Sequence, residues 1–343
     1  MRNYTAFVGT NSTRNSKGLY TITIDFETLI PTISSTTSSY NSGALKISSD
    51  NKYLYVTQEG MTFAGFANGG VVAYKINEDF SLSLLNGLPS KGQRPCSICV
   101  DRDNKNLYVV NFFGGSLAHF SINKDGSLNK LEQTFVEPKP KEWLHAIHWV
   151  DMLNDDKHVG IMSVATSSFE ILNSDTKEKI AQYKFGEKVF VRTFTCYGKY
   201  IYAMLQKSGD IYVFENSVDG KILNKKQVIS SNINFKSENN REDFGTSSIR
   251  ITPNGKLLFA GIRNSNSLSV FSINEEGFLK MENSIALPGE CPRDFNISSD
   301  GNIVITALQQ TDEICIHKIN YETKDLEYIS KISIPSPAAI DII

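Results

Sequence analysis

A strong net charge, a long apolar run and an N-terminal leader pattern are all missing from this 343-residue chain. Its 35 Lys and Arg residues balance 37 Asp and Glu residues without any basic block, so we expect no nucleic-acid partner. No apolar run approaches the roughly 20 residues that span a bilayer, so we expect no membrane partner. The segment MRNYTAFVGTNSTRNSKG soon turns polar and lacks the apolar core of a secretion signal. These absences predict a cytoplasmic protein.

Cysteine and histidine are scarce, and their spacing favours neither disulfides nor a metal site. His145 and His148 lie three residues apart on a predicted strand, so their side chains would point to opposite faces and could not chelate one ion. We therefore expect no metal and no cofactor. The cysteines are odd in number and scattered, which indicates reduced thiols. They are Cys96, Cys99, Cys196, Cys291 and Cys315.

Glycine and aromatic residues are abundant, and they recur in a repeated unit. The chain has 23 Gly, 14 Tyr and 20 Phe and no long helical periodicity, which favours strands joined by turns. Each unit has a short apolar strand, a polar turn, a strand of the form L-Y-V, a strand of the form V-x-x-Y/F and a turn that often ends in D-G-x-L. The clearest copies span 44–84, 95–131, 248–280 and 292–326, and weaker copies begin at His145 and Arg192.

The spacing of the units predicts a seven-bladed β-propeller. Aligned on their first strands, the units place seven residues in one column, with successive gaps of 45 to 55 residues. Gaps of this length, each holding four strands, are typical of propeller blades. The column contains Gly43, Cys96, His145, Arg192, Ser247, Arg293 and Ala338.

The two ends of the sequence complete the blade count. The stretches TAFVGT, GLYTITI and LIPTIS supply second, third and fourth strands with no first strand, while PAAIDI near the C-terminus is a first strand with nothing after it. We therefore expect one all-β domain, 1–343, with four antiparallel strands per blade and a last blade closed by both terminal strands. A β-sandwich or a parallel β-helix is the alternative, but neither explains the strand missing at one end and present at the other.

Two rings of residues are expected to face one mouth of the central channel. The first ring consists of the seven aligned residues listed above, from Gly43 to Ala338. Arg192, Arg263 and Arg293 predict a small anionic ligand, because a guanidinium matches carboxylate or phosphate. His145 is the group that could exchange a proton near neutral pH. Alternatively, these side chains only satisfy loop carbonyls and carboxylates around a wet channel. The second ring holds Asn11, Glu59, Phe112, a residue near Val164, Gln206, Arg263 and Gln309.

Short motifs in a fixed order resemble a known family across essentially the whole chain. They are NFFGGS (Asn111 to Ser116), YLYVTQEG (Tyr53 to Gly60), VGTNS, RPCSICVD, FAGIRNSNSLSVF and CPRDFNIS. This order is similar to that of the lactonase family of seven-bladed propellers, which includes bacterial 6-phosphogluconolactonases and fungal carboxy-muconate cycloisomerases. The resemblance implies the same fold and a lactone-opening activity.

The resemblance also implies site residues. The proposed active-site His, Arg, Glu and Arg of the family fall on His145, Arg192, Gln206 and Arg263. Two departures stand out: Thr193 follows Arg192 where the family commonly has His, and Gln206 replaces a Glu. An amide cannot act as a base, which puts any step that needs this carboxylate in doubt. Further substrate-binding residues are expected at Glu59, Asn111, Arg293 and Gln309.

These expectations combine into a lactonase hypothesis. Arg192 and Arg263, with Arg293, would hold the anionic group and the developing oxyanion, and His145 would take the proton from the attacking water. Two alternatives stay open: a cycloisomerase or lyase on the same scaffold, and a binding propeller without catalysis, which Gln206 and Thr193 would suit.

Overall fold

The computed structural model describes residues 3–60, 62–63, 66–67, 69–136, 146–221, 223–231 and 245–343. Within these ranges, the strands form seven four-stranded antiparallel sheets. Each innermost strand contacts the innermost strands of both neighbouring sheets, so the sheets close into a ring. The predicted seven-bladed β-propeller is confirmed. In the part of the chain that is described, no helix is long and apolar enough to cross a membrane.

The strands of each blade are given from the channel outwards. Blade 1 contains Leu45–Ile47, Tyr53–Gln58, Gly70–Ile76 and Leu82–Pro89, and blade 2 contains Gln93–Val100, Asn106–Phe113, Ser116–Ile122 and Leu128–Val136. Blade 3 contains Ile147–Met152, His158–Ser163, Ser168–Asn173 and Lys179–Lys184, and blade 4 contains Val191–Tyr197, Tyr200–Leu205, Asp210–Asn216 and Leu223–Ser230. Blade 5 contains Thr246–Ile251, Leu257–Ile262, Ser267–Ile273 and Leu279–Ala286, and blade 6 contains Pro292–Ile297, Ile303–Leu308, Glu313–Asn320 and Asp325–Ser333. Blade 7 contains Pro337–Ile342, Asn3–Thr10, Gly18–Asp25 and Pro31–Ser38. In addition, Thr62–Phe63 and Phe66–Ala67 pair as a small hairpin within blade 1.

Blade 7 joins the two ends of the sequence, as predicted. The strand Pro337–Ile342 pairs antiparallel with Asn3–Thr10, with Phe7 opposite Asp341. The Asp341 carboxylate also accepts a hydrogen bond from Ile47 N at 2.9 Å, which ties the innermost strands of blades 7 and 1 together. Since this joint leaves no unpaired inner strand, the ring has no open edge there.

Buried aromatic residues pack the blades against one another. Between blades 3 and 4, the rings of Phe169 and Phe194 lie 4.9 Å apart in an edge-to-face arrangement. The L-Y-V strands add a polar contact, because Tyr55 and Tyr202 each donate a hydrogen bond of 3.0 Å across to the next blade, to the carbonyls of Gly126 and Gly277. The repeated tyrosine and the repeated D-G or E-G turn of the sequence therefore meet at the blade interfaces.

We expect Tyr202→Phe to lower the free energy of unfolding by about 1 kcal/mol, because it deletes one buried hydrogen bond while keeping the ring. Urea denaturation of the variant and the wild type measures this difference. Tyr328→Phe, which makes the same chemical change at an exposed residue, is the matched control and should stay within about 0.5 kcal/mol of the wild type. Equal losses in both variants would show that the inter-blade bond contributes nothing.

Two buried histidines outside the channel should make the protein acid-sensitive. Burial lowers the pKa of His119 and of His317 to about 4 each, whereas an unfolded histidine titrates near about 6.5. Between these values the unfolded chain binds more protons than the native state, so stability falls as the pH drops through this window. Each histidine should therefore cost about 2 kcal/mol of stability on going from pH 7.5 to pH 5.

His317→Phe isolates one of these two contributions. His317 is 1% exposed, and its Nδ1 has no hydrogen-bond partner among the described residues, so an apolar ring should suit the site. We expect the variant to lose about 2 kcal/mol less than the wild type between pH 7.5 and pH 5, measured by urea denaturation. An unchanged pH dependence would show that His317 has the same pKa in the native and the unfolded state.

Candidate functional site

A β-bulge begins the innermost strand of six blades and turns one residue towards the channel. In blade 4, Val191 pairs with Leu205 and Thr193 with Met204, so Arg192 has no partner in the ladder. Such an extra residue bends the strand locally and redirects its side chain. The residues at the six register shifts are Cys96, His148, Arg192, Ser247 (with Ser248), Arg293 and Ala338.

In blade 3, the bulge lies at a different residue from the one that the sequence column contains. Blade 3 places His148 at the bulge, three residues beyond His145, which lies outside the described residues. Even spacing of the repeats had favoured His145. With the bulges aligned, IHWV of blade 3 takes the positions of VRTF in blade 4 and PRDF in blade 6, so His148 is equivalent to Arg192 and Arg293.

One cavity of about 350 Å³ lies above the ring of bulges. Six predicted site residues line it together: Glu59, Arg192, Gln206, Arg263, Arg293 and Gln309. Asn11 and Phe112 of the second ring also line it, while Arg94, His148 and Phe190 are additions that the sequence reasoning missed. Arg94 begins the RPCSICVD motif, but the motif alone does not show that its side chain reaches the cavity.

The ring of bulges forms the floor of this cavity. A second cavity of about 220 Å³ lies inside the channel, and the residues that line both cavities mark the boundary between them. The boundary residues are Gly43, Cys96, His148, Arg192, Arg293 and Ala338. Residues that line the 350 Å³ cavity alone, such as Glu59, Arg94 and Gln206, therefore stand above the floor, towards the mouth.

Asn111 lies elsewhere, although the sequence reasoning placed it in substrate binding. Its side chain is fully buried, accepts a hydrogen bond from Ser90 Oγ at 2.7 Å and donates one to Ser116 Oγ at 3.0 Å. A side chain at Gly92 would overlap the Asn111 amide. Asn111 therefore joins the loop at Ser90 to the start of the strand Ser116–Ile122, and we leave it out of the candidate site.

Arg192 and His148 form the central contact of the floor. Arg192 Nη1 donates to His148 Nε2 at 2.5 Å, and Arg192 Nε donates to Ser247 O at 3.2 Å. Since a guanidinium can only donate, Nε2 is the acceptor and the neutral imidazole carries its proton on Nδ1. Nη1 also reaches Gln206 Oε1 at 3.5 Å. Arg192 thus links the predicted Gln206 to the unpredicted His148.

The cavity concentrates positive charge. Among the described residues that line it, four guanidiniums, Arg94, Arg192, Arg263 and Arg293, face one carboxylate, Glu59. Burial, then Arg293, lowers the pKa of Arg263 to about 10, and burial, then Arg263 and Arg293, holds the pKa of Arg192 well below its usual range. Both shifts follow from burial and from repulsion between neighbouring guanidiniums, and an anionic ligand would offset this repulsion.

His148 is neutral in this environment. Burial lowers its pKa far below the usual value, and the nearby guanidiniums, Arg192 foremost, lower it further. An anion bound among the arginines would offset their effect and make the imidazole more basic. The base strength of His148 is therefore coupled to the occupancy of the cavity.

Cys96 does not offer a nucleophile, although it lies in the floor. Burial raises the pKa of its thiol to about 12, and its Sγ lies 3.4 Å from the His148 carbonyl oxygen. A thiol is reactive as a thiolate, so Cys96 stays inert at neutral pH.

Comparison with known proteins decides the family. Residues 5–342 match the family model described as Lactonase, 7-bladed beta-propeller. The chain belongs to this lactonase family. Its curated relatives include a 6-phosphogluconolactonase of Formosa agariphila, 26% identical over 84% of each chain, and one of Bacillus subtilis, 22% identical over 99% of this chain and 98% of the relative.

Solved structures share the fold of this chain. A Bacteroides fragilis protein provisionally named as a 6-phosphogluconolactonase is 25% identical, with a TM-score of 0.86 over 99% of this chain and 98% of that chain. A periplasmic gluconolactonase of Pseudomonas aeruginosa superposes with a TM-score of 0.88 at 19% identity, over 100% of this chain and 99% of its own. The predicted resemblance to the lactonase family is confirmed.

Proposed function

We propose that this protein is a lactonase that hydrolyses a small, anionic, sugar-derived lactone, in the manner of 6-phosphogluconolactonase. The observation that carries the proposal is the contact between neutral His148 and Arg192 in the arginine-rich floor of the cavity. Family membership and relatives that bear the name 6-phosphogluconolactonase support the same conclusion.

The cavity suits such a substrate in charge and size. Four guanidiniums against one carboxylate in the described part of the lining favour an anion, and Arg binds carboxylate or phosphate through two parallel hydrogen bonds. A volume of about 350 Å³ is at the small end of ligand pockets, which fits a single sugar ring with one charged substituent.

In the proposed reaction, water attacks the carbonyl carbon while His148 Nε2 takes one of its protons. In the free site, this lone pair of Nε2 is bonded to Arg192. When the lactone carbonyl oxygen accepts from the Arg192 guanidinium instead, Nε2 becomes available to the water. The ester bond then breaks, and the proton passes from the imidazolium to the ring oxygen, which leaves as a hydroxyl. His145, which lies outside the described residues, stays a predicted alternative for this base.

Arg192 and Arg263 would stabilise the negative oxygen that forms in the tetrahedral intermediate. Arg263 is held by hydrogen bonds to the carbonyls of Gly245 and Thr246, at 3.4 and 3.1 Å, so its position is fixed before substrate binds. Donors held in place in a buried site stabilise developing charge strongly, because they need no reorganisation during the reaction.

Gln206 has a supporting role in this scheme. Its amide oxygen accepts from Arg192 but cannot take a proton, so the proposed reaction uses no carboxylate at this position. An amide also leaves the charge of Arg192 uncompensated, which favours anion binding over a paired, neutral floor.

The test is acid release from a panel of lactones by the purified protein, corrected for spontaneous hydrolysis. The panel contains 6-phosphogluconolactone, gluconolactone and a muconolactone. We expect turnover of the gluconolactones. Turnover of the muconolactone alone would favour a cycloisomerase. A ligand that raises the melting temperature and is recovered unchanged would favour a binding propeller without catalysis.

A further inference from the structure

Arg94 differs from the other arginines of the cavity in its height above the floor and in its exposure. It lines the 350 Å³ cavity but not the inner one, and its side chain is 49% exposed, whereas Arg192 in the floor is 6% exposed. A lactone whose carbonyl lies against Arg192 and His148 would therefore extend its far end towards Arg94.

The guanidinium of Arg94 is held on one side and open on the other. Its Nε donates to Glu59 Oε2 at 3.0 Å, and its central carbon lies 5.8 Å from the ring centres of both Phe112 and Phe113. Within the described part of the chain, its two Nη groups have no hydrogen-bond partner. This leaves a pair of donors at the spacing of two phosphate or carboxylate oxygens.

Glu59 can hold Arg94 in this way because of a neighbouring glycine. The Glu59 carboxylate lies against Gly43, where a Cβ would overlap Oε1. Glu59 is also well shielded, with 11% of its side chain exposed, so the ion pair with Arg94 is less screened than a surface pair. Gly43 and Glu59 thus orient an arginine that is itself accessible to ligand.

We propose that Arg94 is a specificity-determining residue that binds the anionic substituent of the lactone, at the end away from its carbonyl. The inference rests on the proposed lactonase function. Arg94 does not touch the reacting atoms in this arrangement, so it selects between lactones and leaves the chemical step to the floor. Glu59 acts as a positioning residue for it.

The experiment compares kcat/KM for 6-phosphogluconolactone and for gluconolactone in the wild type, Arg94→Ala and Arg94→Lys. We expect the wild type to prefer the phosphorylated lactone, and Arg94→Ala to lower kcat/KM for that lactone roughly 10- to 100-fold, mainly through KM, because a charge-assisted contact is lost. The value for gluconolactone should change less than about threefold. Arg94→Lys keeps the positive charge but loses the planar pair of donors, so its kcat/KM for 6-phosphogluconolactone should lie between those of the wild type and Arg94→Ala.

Arg14→Ala is the matched control. Arg14 is also half-exposed and paired with a carboxylate, at 2.8 Å from Asp312, but its Nη1 is already donated to the Gln309 and Gln310 carbonyls. Removal of the Arg14 side chain should leave the preference for the phosphorylated lactone unchanged. An equal loss of preference in Arg14→Ala would assign selectivity to the general field and overturn the role of Arg94.

The outcomes separate this inference from the proposed function. If the wild type hydrolyses neither lactone, the proposed function fails. If the wild type hydrolyses both and Arg94→Ala keeps its preference, or loses both activities equally, only the role of Arg94 is wrong. Inhibition by 6-phosphogluconate and by gluconate gives a second measurement without turnover, and Arg94→Ala should weaken inhibition by the phosphorylated acid alone.

Discussion

Arg192→Ala is expected to lower kcat/KM for the lactone substrate by about 100-fold or more, because it removes a preorganised donor from the developing oxyanion. The same change frees His148 Nε2 from its present partner. Steady-state acid release measures the effect, and most of it should appear in kcat. Arg192→Lys should recover only a small part, since the single nitrogen of an ammonium cannot contact Ser247 O and the substrate oxygen as Nε and Nη1 of Arg192 would.

Arg102→Ala is the matched control for Arg192→Ala. Arg102 follows the other end of the strand Gln93–Val100, away from the cavity, and its side chain is 68% exposed. Its loss should leave kcat/KM within about twofold of the wild type. Thermal denaturation adds a second criterion, because Arg192 is buried among Arg263 and Arg293. Deleting it relieves repulsion, so the melting temperature should not fall. A large fall would attribute the loss of activity to unfolding.

His148→Gln is expected to lower kcat by about 100-fold or more, close to the loss in His148→Ala. Glutamine can still accept the hydrogen bond from Arg192 through its amide oxygen but cannot take a proton. The pair of variants therefore separates a base from a residue that merely holds Arg192. Near wild-type kcat in His148→Gln, with a loss in His148→Ala, would make His148 a positioning residue.

Two further variants complete the histidine series. His145→Gln tests the alternative base, and a loss of kcat there with none in His148→Gln would overturn our assignment. His119→Gln is the control for the substitution itself. His119, in the third strand of blade 2, donates from Nε2 to Asn106 Oδ1 at 2.8 Å and does not line the cavity. It should leave kcat unchanged.

The architecture was predictable because the repeat is written directly in the sequence. Turn residues, L-Y-V strands and the complementary end segments fixed the number of blades and the closure of blade 7 by Pro337–Ile342. The second ring was equally accessible, because Gln206 and Arg263 each directly follow the second strand of their blade. The small hairpin at Thr62–Phe63 was not foreseen, since two-residue strands have no periodicity to detect.

The floor of the site was harder to predict, for a physical reason. A bulge breaks the alternation of side chains on which strand reading depends, so the inward residue of each innermost strand cannot be derived from the pleat. For this reason the sequence column named His145 in blade 3, whereas the bulge is at His148. Arg94 was missed because its role depends on the pocket that Gly43 leaves for Glu59, a contact between residues distant in sequence.

The bulges have a consequence for how such a site can diverge. Each one removes a single side chain from the ladder, so the residue that faces the cavity is not one of those that pair the strands. Exchanging His148, Arg192 or Arg293 therefore alters the chemistry of the floor without changing the strand pairing within a blade. The same fold can therefore acquire a new substrate through a few substitutions at the bulge positions.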